Sequence, residues 1–379
     1  MPQSVVRVEQ IPPQSQQEQV AKGIARLLGP FDLSRMAGGK TVLIKPNLSG
    51  ESGPGNTDPR VIYGVVKAFE QFAARVLVGD GSVIGVETMS VMREIGLIDA
   101  LRDTRAEIVD LKAGRYVETP VRRGRCAKQI ALAEVASAAG LIVSVAKMKT
   151  HDATAVSLCM KNLSGLLHEY DMLHFHHVNV SECIVDLVAT VKPVLCIVDG
   201  LIAVDTFGAG PVEMGCVLAG TDPVAVDATA SRAMGVDPAS IYAGTLAESH
   251  IKRAYERGLG EMEDIEIVGD LPRMQFASPP ASLNEISIPD GIEIIDGDPC
   301  PACIAMLASV LQKSRNTDNK LGNTVILVGP NAPPPEQTKG RTIIIGNCLH
   351  RLQSTTQGSV FVLGCPPNGA YDVLPLLEA

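Results

Sequence analysis

Residues 41–47 read TVLIKPN, a short strand-like run closed by Lys45, Pro46 and Asn47, and the same order recurs along the chain. RVLV at 75–78 is followed by Gly79-Asp80-Gly81-Ser82, LIVSV at 141–145 leads to Lys147-Met148-Lys149-Thr150-His151, and VLCIV at 194–198 to Asp199-Gly200. Similar apolar runs occupy 106–109 and 265–268. Helical patterns lie between them. Gln17 to Leu28 sets Val20, Ile24, Leu27 and Leu28 on one face, and Gly38-Gly39 closes that segment. Asp58-Pro59 has the form of a helix cap with proline in the first turn, followed by Val61, Ile62, Val65, Val66 and Phe69 at helical spacing. Alternation of this kind predicts an α/β fold with a mainly parallel sheet and helices on both faces.

The chain has 379 residues, more than one hydrophobic core usually serves. Residues 1–270 are expected to form the α/β domain. Residues 271–289 (LPRMQFASPPASLNEISIP) carry four prolines and little periodicity, so 271–290 reads as a linker or irregular connection. Residues 291–379 read as a smaller α/β unit, with a helix over Pro301–Lys313, the strands TVILVG, TIIIG and VFVLG, and a closing helix over Tyr371–Glu378. The apolar fraction of 46% excludes a disordered chain, and a formal charge of −9 argues against binding to a nucleic-acid backbone. With 3% aromatic residues and no tryptophan there is no evident base-stacking platform. No apolar run approaches the roughly 18 residues of a membrane span, and no secretory signal is visible, which predicts a cytoplasmic, reducing location without disulfides.

Nine cysteines then need a reason. Four lie in the C-terminal unit as Cys300-Pro301-Ala302-Cys303, Gly346-Asn347-Cys348 and Gly364-Cys365-Pro366-Pro367. The first pair opens a helix, where N–H groups favour thiolate, and the other two follow strands whose carboxyl ends should share one edge. Tetrathiolate sets hold zinc or an iron-sulfur cluster. A single CxxC completed by two isolated cysteines beside glycine and proline favours the cluster, one of the 4Fe-4S type, over zinc or incidental thiols. Cys126, Cys159, Cys183, Cys196 and Cys216 are scattered and read as small buried hydrophobes.

In the larger domain, polar residues at successive strand ends suggest a ligand crevice, and its lysines suggest an anion. Lys45, Asn47, Asp80, Lys147, Lys161, Asn162 and Asp199 are the candidate binding residues, with Lys149 and His151 as candidate catalytic groups. His151 is placed to move a proton near neutral pH. His168, His174, His176 and His177 lack a ligand spacing and read as a neutral or exposed cluster. Gly79-Asp80-Gly81 lacks the third glycine of a dinucleotide fingerprint, and Gly208-Ala209-Gly210 follows no strand, so a nicotinamide cofactor is not expected.

IKPNL at 44–48, AKMKTH at 146–151, MKNLSGLL at 160–167, VDG at 198–200 and AGTDPVAVDATASRAMG at 219–235, with GLG at 258–260, resemble the family called domain of unknown function 362. The likeness runs over roughly residues 40 to 260. It implies iron-sulfur association, often through an appended ferredoxin module, and no general reaction. This chain departs from the ferredoxin-bearing relatives in having no CxxCxxCxxxCP run. Its C-terminal cysteines instead resemble the GCPP-containing, single-cluster modules of hydrogenase small subunits, which implies one cluster. The expected function is an iron-sulfur oxidoreductase or lyase acting on a small carboxylate or phosphate. The alternatives are an electron carrier that docks an electron-transfer protein, and an anion-binding enzyme with structural zinc. Substrate, redox partner and oligomeric state stay open.

Overall fold

The computed structural model describes residues 3–49, 53–208, 210–239, 249–315, 323–334, 340–353 and 358–378. Ala209 of the second GxG run lies outside them. The strands are β1 (Ser4–Gln10), β2 (Thr41–Pro46), β3 (Arg75–Asp80), β4 (Glu107–Asp110), β5 (Tyr116–Pro120), β6 (Gln129–Ala133), β7 (Leu141–His151) and β8 (Ala155–Val156). They continue as β9 (Leu195–Asp205), β10 (Gly210–Gly220), β11 (Ile265–Val268), β12 (Ile292–Asp296), β13 (Thr324–Val328), β14 (Arg341–Ile345) and β15 (Ser359–Val362).

The large sheet runs β11-β1-β10-β9-β7-β2-β3-β4, with β8 paired to the end of β7. From β9 to β4 every neighbouring pair is parallel, whereas β10 is antiparallel to both β9 and β1. The mainly parallel sheet is therefore present, and it carries one antiparallel strand between β1 and β9. Side chains alternate across it, so the core divides by face. Val42 and Ile44 of β2 pack with the helices Gln17–Leu28 and Pro59–Phe69, while Leu43 joins the opposite cluster with Ile184, Leu187, Val224 and Ala228. Asp58 caps its helix through the Arg60 N–H at 2.9 Å, and Pro59 occupies the first turn.

A separate sheet, β12-β13-β14-β15, is parallel throughout. The helix Pro301–Ser314 covers one face, where Leu307 and Val310 meet Ile326, Ile343 and Val362; Leu327, Ile344, Leu349 and Leu352 fill the other face. β12 was not among the expected strands, because its sequence IEIID mixes acids into a half-buried edge. Parallel order puts the carboxyl ends of all four strands on one edge. Residues 271–290 hold a single short turn, Leu283–Glu285, yet they are pinned. Phe276 is buried and its N–H donates to the Met234 carbonyl at 3.0 Å, while Leu283 and Ile286 enter the C-terminal core. Among the described residues no helix is long and apolar enough to cross a membrane.

Candidate functional site

The carboxyl ends of β2, β3 and β7 open into a cavity of about 160 Å3. Lys45, Asn47, Asp80, Lys149, His151, Lys161 and Asn162 line it. Lys147 and Asp199 do not. The pairing of β7 with β9 shifts register between Lys147 and Lys149, so these two lysines part company despite their spacing. Lys147 instead donates to Asp199 Oδ2 at 2.9 Å in the interior, and the same oxygen accepts the Asp58 N–H at 2.8 Å. That pair fixes the start of the helix Pro59–Phe69.

Lys45 and Asp80 build the wall. Lys45 Nζ lies 2.5 Å from Asp80 Oδ1 and donates to Asn162 Oδ1 at 3.0 Å and to the Pro46 carbonyl at 2.9 Å. Burial works against both charges, lowering the lysine pKa and raising that of the aspartate, and their mutual attraction opposes it. Three acceptors saturate the ammonium, so Lys45 is committed to the protein. Asn162 is likewise committed, donating from Nδ2 to the Lys45 carbonyl at 3.1 Å and to Ser144 Oγ at 3.0 Å. Asn47 donates to the Gly55 carbonyl at 2.8 Å. Gly165 sits over this network so closely that a Cβ would lie 2.1 Å from Asp80 Oδ1.

What faces the cavity is Lys149, Lys161 and two imidazoles. Lys161 is carried by the helix Leu158–Asn162, whose first N–H groups are fixed by Asp227: Cys159 N–H and Met160 N–H donate to its carboxylate at 2.8 and 2.9 Å. Burial pushes the Asp227 carboxyl up to about 8 against those two bonds. Burial and the Lys45 charge bring the Lys161 ammonium down to about 8, with Asp152 opposing. His151 Nδ1 lies 3.0 Å from both the Ala153 N–H, which it accepts, and Asp152 Oδ1; with Nδ1 serving that N–H the neutral ring carries its proton on Nε2. Burial and the charges of Lys161 and Lys149 hold this imidazole well below its ordinary pKa. It therefore stays neutral near pH 7.

Sequence reasoning missed Ser157, Phe175, His176, Asn368 and Tyr371, all of which line the cavity. His176 comes from the unassigned histidine stretch, in the helix Glu169–Val178; burial and Lys161 bring it down to about 3. Asn368 and Tyr371 come from just beyond the GCPP turn, so the C-terminal unit closes one side. Only their nearness to Cys365 could have signalled them.

The cysteines lie behind that side. The Cys365 N–H donates to the His176 carbonyl at 3.0 Å, and Asn347 Nδ2 to the His177 carbonyl at 2.8 Å. Cys300 precedes the helix Pro301–Ser314 as its cap residue; the Cys303 thiol and the N–H groups of Cys303 and Ala302 hold its thiol down to about 6. Cys303 is pushed up by the Cys300 thiolate first and by burial, and it also feels Cys348 and Cys365. Burial and then Cys300 raise Cys348, which receives the Gly329 N–H from the end of β13. Burial, Cys300 and Cys348 push Cys365 up to about 11. The four sulfurs thus share one electrostatic neighbourhood. Among the described residues no three His, Cys, Asp or Glu side chains converge on a single-ion site. Of the other five cysteines, Cys159, Cys183, Cys196 and Cys216 are buried and Cys126 is half-buried.

The family described as Domain of unknown function (DUF362) matches residues 42–232. A thylakoid-associated protein of Synechocystis is 26% identical over 216 residues, which cover 54% of this chain and 65% of that protein. Among solved structures, lactate racemase apoprotein from Thermoanaerobacterium thermosaccharolyticum is similar at a TM-score of 0.40 and 14% identity, covering 86% of this chain and 69% of its own. A structural-genomics protein from Thermotoga maritima has a TM-score of 0.32 at 9% identity, covering 66% and 59%.

Proposed function

We propose, from the premise that the chain belongs to the family Domain of unknown function (DUF362), that it is an iron-sulfur enzyme acting on a small anion. The observation that carries the reading is the adjacency of two unlike sites. The shared neighbourhood of Cys300, Cys303, Cys348 and Cys365 adjoins a cavity lined by Lys149, Lys161 and His151. Four thiols in one neighbourhood fit a cluster, and the N–H groups reaching Cys300 and Cys348 would stabilise charge on sulfur. Such a cluster supplies one-electron chemistry. The chain's own residues would bind the anion through the two lysines, orient it by the His151 Nε2–H, and screen it from water with Phe175 and Tyr371.

Anaerobic reconstitution with iron and sulfide, followed by metal analysis and a visible spectrum, tests the cluster. We expect a brown protein with stoichiometric iron and sulfide, damaged by Cys365→Ser and unaffected by Cys216→Ala. A colourless protein with stoichiometric zinc would defeat the reading. A second reading, an electron carrier, is favoured by the exposure of Cys348, which gives a partner access to the thiol site. The two part on Lys149→Ala, which should abolish anion-induced thermal stabilisation in an enzyme and leave electron transfer untouched in a carrier.

A further inference from the structure

Lys161, which is partly exposed to the cavity, is unlike the buried lysines of this region. Lys45 has three acceptors and Lys147 has Asp199, whereas the Lys161 ammonium makes no hydrogen bond or ion pair among the described residues. It nevertheless lines the cavity, on a helix whose position is set by main-chain bonds to Asp227. After burial, its charge is the strongest influence on three separate imidazoles, those of His151, His176 and His250. An amine held among neutral rings, with Lys45 beside it and only the Asp152 carboxylate opposing, is poorly placed to remain a cation.

We propose that Lys161 is a nucleophile whose Nζ condenses with the carbonyl carbon of a small 2-oxo acid held in the cavity, an inference that rests on the anion-pocket reading above. The cavity is small, about 160 Å3, which suits an acid of three or four carbons. The polar groups divide between the two ends of such a molecule. Lys149 meets the carboxylate, and the His151 Nε2–H donates to the carbonyl oxygen. Ser157 Oγ and His176 Nδ1, both buried without a hydrogen-bond partner among the described residues, are available to the migrating proton and the departing water.

The step balances without a further reagent. The Nζ lone pair forms the C–N bond as the carbonyl π bond breaks, the oxygen takes up a proton, and a proton leaves nitrogen. The resulting hydroxyl takes a second proton, from the N–H that nitrogen still carries, and departs as water as the nitrogen lone pair forms the C=N bond. A neutral amine is required, and a lysine at about 8 supplies it in useful amount near neutral pH.

The test uses the full chain with pyruvate and sodium cyanoborohydride, which reduces an imine to a stable secondary amine. Digestion and mass spectrometry then locate the adduct. We expect it at Lys161, forming about tenfold or more faster than at the exposed Lys22, and absent at position 161 in Lys161→Met with the remaining lysines unchanged. Exchange of the pyruvate methyl protons in deuterated water should also disappear in that variant. An adduct spread evenly over surface lysines, or none at Lys161, overturns the proposal. Iron and sulfide measured on the same samples keep the outcomes apart: a cluster without an adduct removes the imine and leaves the enzyme reading. An adduct on colourless zinc protein does the reverse.

Discussion

Lys161 also has a thermodynamic signature independent of any reaction. Its pKa is about 8 in the folded chain and about 10.4 when unfolded. Between those values the unfolded state binds more protons, so this group makes stability rise with pH through that window, and below pH 8 its full penalty persists. The bound from the shift is about 3 kcal/mol, which access of water to the cavity reduces to roughly 1 kcal/mol. Lys161→Met should therefore raise the melting temperature at pH 7, and the gain should vanish near pH 10. The neighbouring pair behaves oppositely: Asp80→Asn leaves the Lys45 charge buried without its counter-ion and should cost about 3–5 kcal/mol in denaturant melts. Gly165→Ala should be as damaging, because its Cβ would occupy the space that Asp80 Oδ1 now fills.

The order of strands and helices follows from alternating apolar runs and their polar closures, which is why the helices over Gln17–Leu28 and Pro59–Phe69 and the strands β2, β3 and β7 were readable in advance. What periodicity could not reveal is where a regular element stops being regular. The register shift in β7 separates Lys147 from Lys149, and it is decided by pairing with β9, a neighbour distant in the chain. The same limit hid Asp227. It stands in a helix of small residues, Pro223–Ala233, and its partners are the N–H groups of another helix more than sixty residues earlier. Asp227→Ala should remove both bonds at once, costing about 2–4 kcal/mol, and should loosen Lys161. Weaker anion-induced thermal stabilisation than in the parent protein is the check. The acidic edge β12 escaped for a related reason, since only pairing with β13 makes IEIID a strand.

The large, mainly parallel sheet and the parallel C-terminal sheet meet through the helix Glu169–Val178. Composition holds no hint of that meeting, because the polar contacts that make it include a main-chain N–H, one asparagine and the approach of His177 to Asp372 at 3.9 Å. Asn347 holds the Gly364 N–H through Oδ1 at 2.8 Å and reaches the His177 carbonyl through Nδ2, so it orders the turns bearing Cys348 and Cys365 and ties them to the larger unit. Asn347→Ala should cost about 1–3 kcal/mol and accelerate hydrogen exchange at the Cys365 amide while leaving the large sheet protected. His176 is the residue the two sites hold in common, with its ring in the cavity and its carbonyl on Cys365. Joint possession of one residue imposes an equality. If the thiols hold a redox centre, whatever free energy an occupant of the cavity transmits through His176 must reappear as a shift in its midpoint potential, and oxidising that centre must change the occupant's dissociation constant by the same factor.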